Sequence, residues 1–268
     1  DDRASQLAYF AIMMKARQYD RRFFTRSIKP NVYSIAESNN VSRDVVEYFS
    51  NGNDDLSKEI EIVLKEMRNA KEYGSILNIS KVDWNILFAR FDEIYDDVSL
   101  FRQGALDDLL PLVKVAQALE QKYHVVITNP PYVVVSGLSS LVNDYVKKHY
   151  ADSKTDLFAV FIEKCHSMIK PYGFQAMITM HSWMFISSYE RLREKYLASD
   201  TINMIHLGAR AFEEIAGEVV QTTSFVLTKR HLPQYSTTYC RLVSPNTQTG
   251  KEEMFLKGEQ RYCISKNQ

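Results

Sequence analysis

An α/β fold with a mostly parallel sheet covered by helices on both faces is what the second half of this sequence predicts. Three features carry that expectation. Short runs of branched apolar residues, "HVVIT", "FQAMITM" and "TINMIHL", each have the length and composition of buried strands. Stretches of helical period separate them: "LSSLVNDYVKKHY" and "TDLFAVFIEKCHSMI" after the first run, "SYERLREKYLA" after the second. Strands that alternate with helices pair in parallel, because each crossover carries the chain back over one face of the sheet. A third feature, the alternating "EVVQTTSFVLTKR", supplies a final strand.

The elements before that region read as helices. Leu7, Phe10, Ala11 and Met14 recur at three- and four-residue steps, and Lys15, Arg17 and Gln18 close a helix over 5–19. "KPNVYSI" at 29–35 is a short extended segment after a proline break. Ser42 caps a helix in "SRDVVEYF", and "NGNDDLSKEIEIVLKEMRNAKEYGSIL" is a turn followed by a long charged helix ending near Gly74. Residues 84–122 continue the helical period, clearest in "ALDDLLPLVKVAQALEQKY". Beyond Pro233 the texture turns polar, Thr-rich and hairpin-like, which places a boundary near 231–234.

Composition narrows the class. With 45% hydrophobic and 25% charged residues over 268 positions, the chain has the makeup of a soluble globular protein. No apolar run is long enough to span a bilayer, and the acidic start "DDRA" is not a signal peptide, so no membrane partner is expected. Cys165, Cys240 and Cys263 are odd in number and far apart. Neither a disulfide framework nor a metal site is expected, and a reducing cytoplasm is the expected compartment. The formal net charge of zero gives no global attraction to nucleic acid, so any such grip must be local; "RQYDRRFFTRSIKP" at 17–30 is the densest basic stretch and is equally a solvated helix end.

The run "HVVITNPPYVVV" carries the chemistry. In open α/β sheets the site lies just past the carboxyl ends of strands, and there the strand 124–128 meets Asn129, Pro130, Pro131 and Tyr132. A residue before proline is held extended, so the Asn129 carboxamide and the Pro130 carbonyl are aimed outward from the strand end. Both are acceptors, and prolines donate no competing N–H. Two fixed acceptors suit an exocyclic amino group: they hold its hydrogens and stabilise the positive charge that builds when its nitrogen attacks a methyl carbon. Tyr132 offers a flat face to a planar base or amide, a contact worth about 1–3 kcal/mol per base. A rigid loop without function is the plain alternative for an Asn-Pro step.

The tetrapeptide resembles the (D/N/S)-P-P-(Y/F/W) motif of amino-methyltransferases that use S-adenosylmethionine. "KYHVVITNPPYV", "DSKTDLFAVFIEKC", "MITMHSWMFISSYERLRE" and "MIHLGARAFEEIAGEVVQTTSFVLTKR" together resemble the PglX family, the adenine-specific (N6) DNA methyltransferases of BREX phage-resistance systems. The resemblance runs from residue 1 to about 230 and is strongest from 121 onward. It implies a Rossmann-like methyltransferase fold with a terminal antiparallel hairpin, a helical insertion at about 36–122 and a catalytic strand and loop at 124–135. Residues 1–232 then belong to the catalytic domain, and 233–268 begin a β-rich or target-recognition segment.

Residue by residue, the resemblance implies that Asn129 and Pro130 accept from the adenine amino group, Pro131 stiffens the loop and Tyr132 stacks on the extruded base. In "KEYGSIL" Glu72 would accept from the cofactor adenine and Tyr73 lie beside its ring, against a reading of Glu72 as a solvated acid. Asp156 would cap a helix, and Phe158 would either line the cofactor pocket or pack in the core. His181 and Trp183 in "HSWMF" stand as DNA contacts, with burial the alternative for Trp183. A second base-stacking aromatic is expected around Phe212. The implied cofactor is S-adenosylmethionine and the implied partners are double-stranded DNA and other defence subunits.

The sequence departs from the family pattern in holding no G-x-G turn among its nine glycines. "DDRA" resembles the tail of the family's "D-I-D-D-R-A" segment, so the stretch reads as a middle piece of a longer enzyme, expected to be inactive by itself. Two other functions stay open: an rRNA or protein-glutamine methyltransferase, and a non-catalytic DNA-binding scaffold subunit.

Overall fold

The computed structural model describes residues 2–197, 199–212 and 220–265. The chain forms two compact units, Asp1–Glu120 and Gln121–Gln268. Their division falls inside the stretch 1–232 that the sequence assigns to one domain. The physical reason is local: the first unit is helical throughout its described regular structure, and the second carries the described sheet.

The first unit contains α1 (Asp2–Tyr19), α2 (Arg43–Ser50), α3 (Asp54–Glu66), α4 (Ala70–Tyr73), α5 (Trp84–Ile94), α6 (Phe101–Gly104) and α7 (Leu110–Glu120). In α3 the Asn53 side chain accepts from the N–H groups of Asp55 and Leu56, and Asp54 and Asp55 favour the positive end of the helix. Leu56, Ile60 and Val63 then fall on one buried stripe, meeting Phe49 of α2 and Leu87 and Phe91 of α5 in the buried core of this unit.

The second unit orders β1 (Tyr123–Thr128), α8 (Ser140–His149), α9 (Leu157–Met168), β2 (Ile169–Met180), α10 (Glu190–Leu197), β3 (Asp200–Gly208), β4 (Thr222–Thr228), β5 (Ser236–Arg241), α11 (Gln248–Leu256) and β6 (Arg261–Ser265). The sheet runs β1-β2-β4-β3-β5-β6. β1 and β2 are parallel, as are β3 and β5, while β4 lies antiparallel to both β2 and β3. The sheet is therefore mixed. Its antiparallel share comes from the expected hairpin, whose β4 returns between two parallel strands, and from β6 on β5. Because β1, β2, β3 and β5 share one direction, their carboxyl ends lie along one rim of the sheet.

The change of texture at Pro233 is a turn within this sheet, since β5 and β6 extend it. The sequence reading missed α11, which starts at a Thr247 cap between two polar strands. β2 is longer than expected and takes in "KPYG". A bulge opposite Tyr123–Val125 accommodates those residues, and Gly173 is required there: a Cβ would come within 2.9 Å of the His124 carbonyl oxygen.

The core of this unit gathers Phe158, Ile162, Met177, Trp183, Leu192 and Phe225. Lys164 is buried beside it at 3% exposure. Burial, helped by the Lys122 charge, pulls its ammonium down to about 8. Between pH 8 and the ordinary lysine range the unfolded chain binds more protons than the folded one, so stability rises with pH across that window. Lys164→Met is expected to stabilise the fold by about 2–3 kcal/mol at pH 7 and to flatten that rise. Urea unfolding at pH 7 and pH 10 checks both.

Candidate active site

The site grows from the carboxyl end of β1. Register pairs Thr128 with Met177, so Asn129 leaves the strand beside Ile178, three residues before β2 gives way to His181. Asn129 is exposed and Pro130 is buried. The Tyr132 ring is half-buried and meets the ring of Phe158 edge-on, at 6.3 Å and 89°. Its hydroxyl donates to the Asn129 carboxamide oxygen at 3.1 Å and lies 3.4 Å from the Ile178 carbonyl.

That hydroxyl bond has a consequence. Burial pushes the Tyr132 phenol up to about 12, so the group remains a donor through the physiological range. A donor there keeps the oxygen of the Asn129 carboxamide turned toward the ring. Among the described residues no backbone N–H donates to the Pro130 carbonyl.

The loop beyond the motif is pinned. The Leu157 N–H donates to Val133 O at 2.9 Å and the Val135 N–H to Thr155 O at 3.1 Å, with Val134 bridged antiparallel to Asp156. Asp156 caps α9 as the sequence implies, accepting from the Phe158 N–H at 3.1 Å. Desolvation raises its carboxyl above the usual range. One short bridge thus ties the motif loop to the helix that carries Phe158, the ring against which Tyr132 rests.

The other candidates separate. Phe158 is 1% exposed and packs in the core behind Tyr132. Trp183 is also buried, its indole N–H donating to Thr179 Oγ1 at 3.1 Å. His181 stands half-buried on the rim, and its Nδ1 lies 2.8 Å from Nε2 of His206. Burial lowers both imidazoles, and for His206 the charges of His181, Arg241 and Lys251 lower it further. Phe212 lines a 460 Å³ apolar hollow with Ile205, Leu207, Leu242 and Phe255. Residues 213–219 of the expected hairpin lie outside the described residues. Glu72 and Tyr73 sit in α4 of the helical unit, just before Gly74 at φ 60°. Glu72 is exposed and Tyr73 partly so. An acidic acceptor next to an aromatic ring on one exposed turn is a donor set that fits an adenine with its amino group.

Sequence reasoning missed His206 and the pair Phe185 and Ile186. The signal for His206 was available: a polar residue close to the carboxyl end of a strand lies at the rim where sites form.

The profile of the Eco57I restriction-modification methylase family matches residues 1–212. The chain belongs to this family. The adenine-specific methyltransferase PglX of Lacticaseibacillus casei (strain Zhang) is 38% identical over 280 residues, covering 97% of this chain and 22% of that protein. The adenine-specific methyltransferase BrxX of Escherichia coli O9:H4 (strain HS) is 36% identical, over 95% of this chain and 23% of that protein. The chain thus spans less than a quarter of the length of these curated relatives. A solved structure of the Type ISP restriction-modification enzyme LlaGI with a DNA substrate mimic matches 95% of this chain and 32% of its own, at 16% identity and a TM-score of 0.41.

Proposed function

We propose that this chain supplies the catalytic strand and loop of an enzyme that transfers a methyl group from S-adenosylmethionine to N6 of adenine at a specific DNA site, marking self DNA in phage defence. The observation that carries the reading is the outward Asn129 carboxamide, its oxygen turned by the Tyr132 hydroxyl, beside the Pro130 carbonyl.

When bound, S-adenosylmethionine would supply a methyl group on a positively charged sulfur. Glu72 would accept from the adenine amino group of that cofactor, with Tyr73 beside its ring. Asn129 Oδ1 and Pro130 O accept the two N–H groups of the target adenine and direct the nitrogen lone pair away from the protein oxygens. As the nitrogen becomes positively charged, both dipoles stabilise it without reorganising. The target's amino group is out of reach inside a duplex, so the base must be extruded, and Tyr132, backed by Phe158, takes one face of it. His181 and Phe212 serve the DNA side. No residue is needed as a general base, because the methylated ammonium loses its proton to water.

The test is to map N6-methyladenine in cells that carry the full-length gene and in cells that lack it. A recurring methylated sequence present only with the gene is the expected result, and identical maps would remove the reading. A methylated glutamine or rRNA base without DNA marks would point to the other amino-methyltransferases.

A further inference from the structure

Next to the motif, the rim of the sheet carries an apolar pair that the fold leaves open. Phe185 is 62% and Ile186 48% exposed, directly after the turn that ends β2. The pair is not on a loose loop. The N–H groups of Phe185 and Ile186 both donate to Ser182 O, at 3.1 and 3.0 Å, and the Tyr189 N–H donates to Ile186 O. The Arg193 guanidinium grips the same turn, donating at 2.7 Å to the carbonyls of both Trp183 and Ile186. Trp183, buried in the core, anchors it from below. An apolar ridge this firmly held against water has no structural use for its exposure.

One exposed cation, Arg241, stands on the same rim. The Phe185 ring rests near the His181–His206 pair, at 5.4 and 5.9 Å between centroids. Arg241 of β5 pairs in register with His206 of β3. Lys251 is buried, its Nζ held 2.6 Å from the carbonyls of Leu207 and Leu242. An apolar tip on the rim that also carries an exposed guanidinium suits a polyanion with an apolar interior, which describes a base-paired duplex. The ridge follows the end of β2, the strand that pairs with β1 next to Asn129.

We infer that Phe185 and Ile186 form a wedge that enters the duplex at the step left by the extruded adenine, with Arg241 facing its phosphates. This deepens the proposed function and rests on it. Extrusion leaves a gap in the base stack and costs stacking on both sides of it. Rigid apolar side chains that fill such gaps are a recurrent means of holding a distorted duplex. The wedge acts on DNA shape and touches none of the reacting atoms, so its effect must depend on how firmly the target adenine is stacked and paired.

That dependence is the test. Full-length protein carrying Phe185→Ala with Ile186→Ala is given S-adenosylmethionine and two duplexes containing the methylated sequence, one fully paired and one with the target adenine opposite a mismatched base. The readout is the single-turnover methylation rate. The expected loss is about 10- to 100-fold on the paired duplex and under about threefold on the mismatched one, where the base is already loosened. Equal losses on both duplexes, or no loss on the paired one, would overturn the wedge; the second result together with a lost protein partner would reassign the ridge as a protein contact. Because both side chains are exposed, folding is not at issue. The proposed function fails separately: Asn129→Ala would then methylate both duplexes at the normal rate.

Discussion

Asn129→Ala in the full-length protein is expected to slow adenine methylation by on the order of 100-fold or more, the usual consequence of deleting one preorganised dipole from a site where charge develops. The substitution removes the carboxamide acceptor of the motif and leaves Pro130 O to hold the amine alone. Tyr132→Phe gives the contrast. It deletes the hydroxyl that turns the carboxamide but keeps the ring, and one net hydrogen bond of about 0.5–1.5 kcal/mol corresponds to a loss of roughly 2- to 13-fold. Single-turnover transfer of labelled methyl groups at saturating DNA measures both. The phenol lies near pKa 12, so the rate of the unmodified enzyme should show no break from Tyr132 below about pH 11. If Tyr132→Phe were as damaging as Asn129→Ala, or a break fell near neutrality, the hydroxyl would be taking part in the chemistry and its role as a brace for the carboxamide would be wrong.

What was legible in advance follows from which forces act locally. "FQAMITM" and "TINMIHL" became inner strands, as apolar runs with two covered faces should. "HVVIT" instead forms a strand at the sheet edge and is not the buried one expected, with Val125 49% and Ile127 75% exposed. Asn129 was legible because two prolines fix the backbone regardless of context. Strand order was not. Nothing within "TSFVLT" says that it inserts between β2 and β3; that depends on hydrogen bonds to residues tens of positions away. α11 escaped notice because "QTGKEEMFL" has little apolar periodicity and is anchored by the Thr247 cap and by Lys251, whose ammonium reaches two carbonyls of the sheet. The Phe185–Ile186 ridge was illegible for a different reason. Sequence marks apolar residues for burial, and only coordinates reveal that Arg193 and Trp183 hold this pair outward.

The same distinction makes Phe158→Ala the largest expected change in stability. Phe158 is 1% exposed and lies in the core with Ile162, Met177 and Phe225. Removing a ring from such a position destabilises by about 3–5 kcal/mol, through lost burial and the cavity left behind. Hydrogen exchange at the β2 and β4 amides, read with and without urea, reports the loss where the core is. The effect should reach the site as well, because Tyr132 rests edge-on against this ring at 6.3 Å and the Phe158 N–H donates to the Asp156 cap of α9. Phe158→Leu separates the two roles the sequence left open. Leucine keeps most of the buried volume, so a ring that only supports the core and Tyr132 should lose less than about 1.5 kcal/mol and little activity. A ring that touches the cofactor would instead raise the S-adenosylmethionine KM while the amides stay protected. The edge-on packing behind Tyr132 favours the first result, because the Phe158 ring meets the Tyr132 ring and the core rather than solvent.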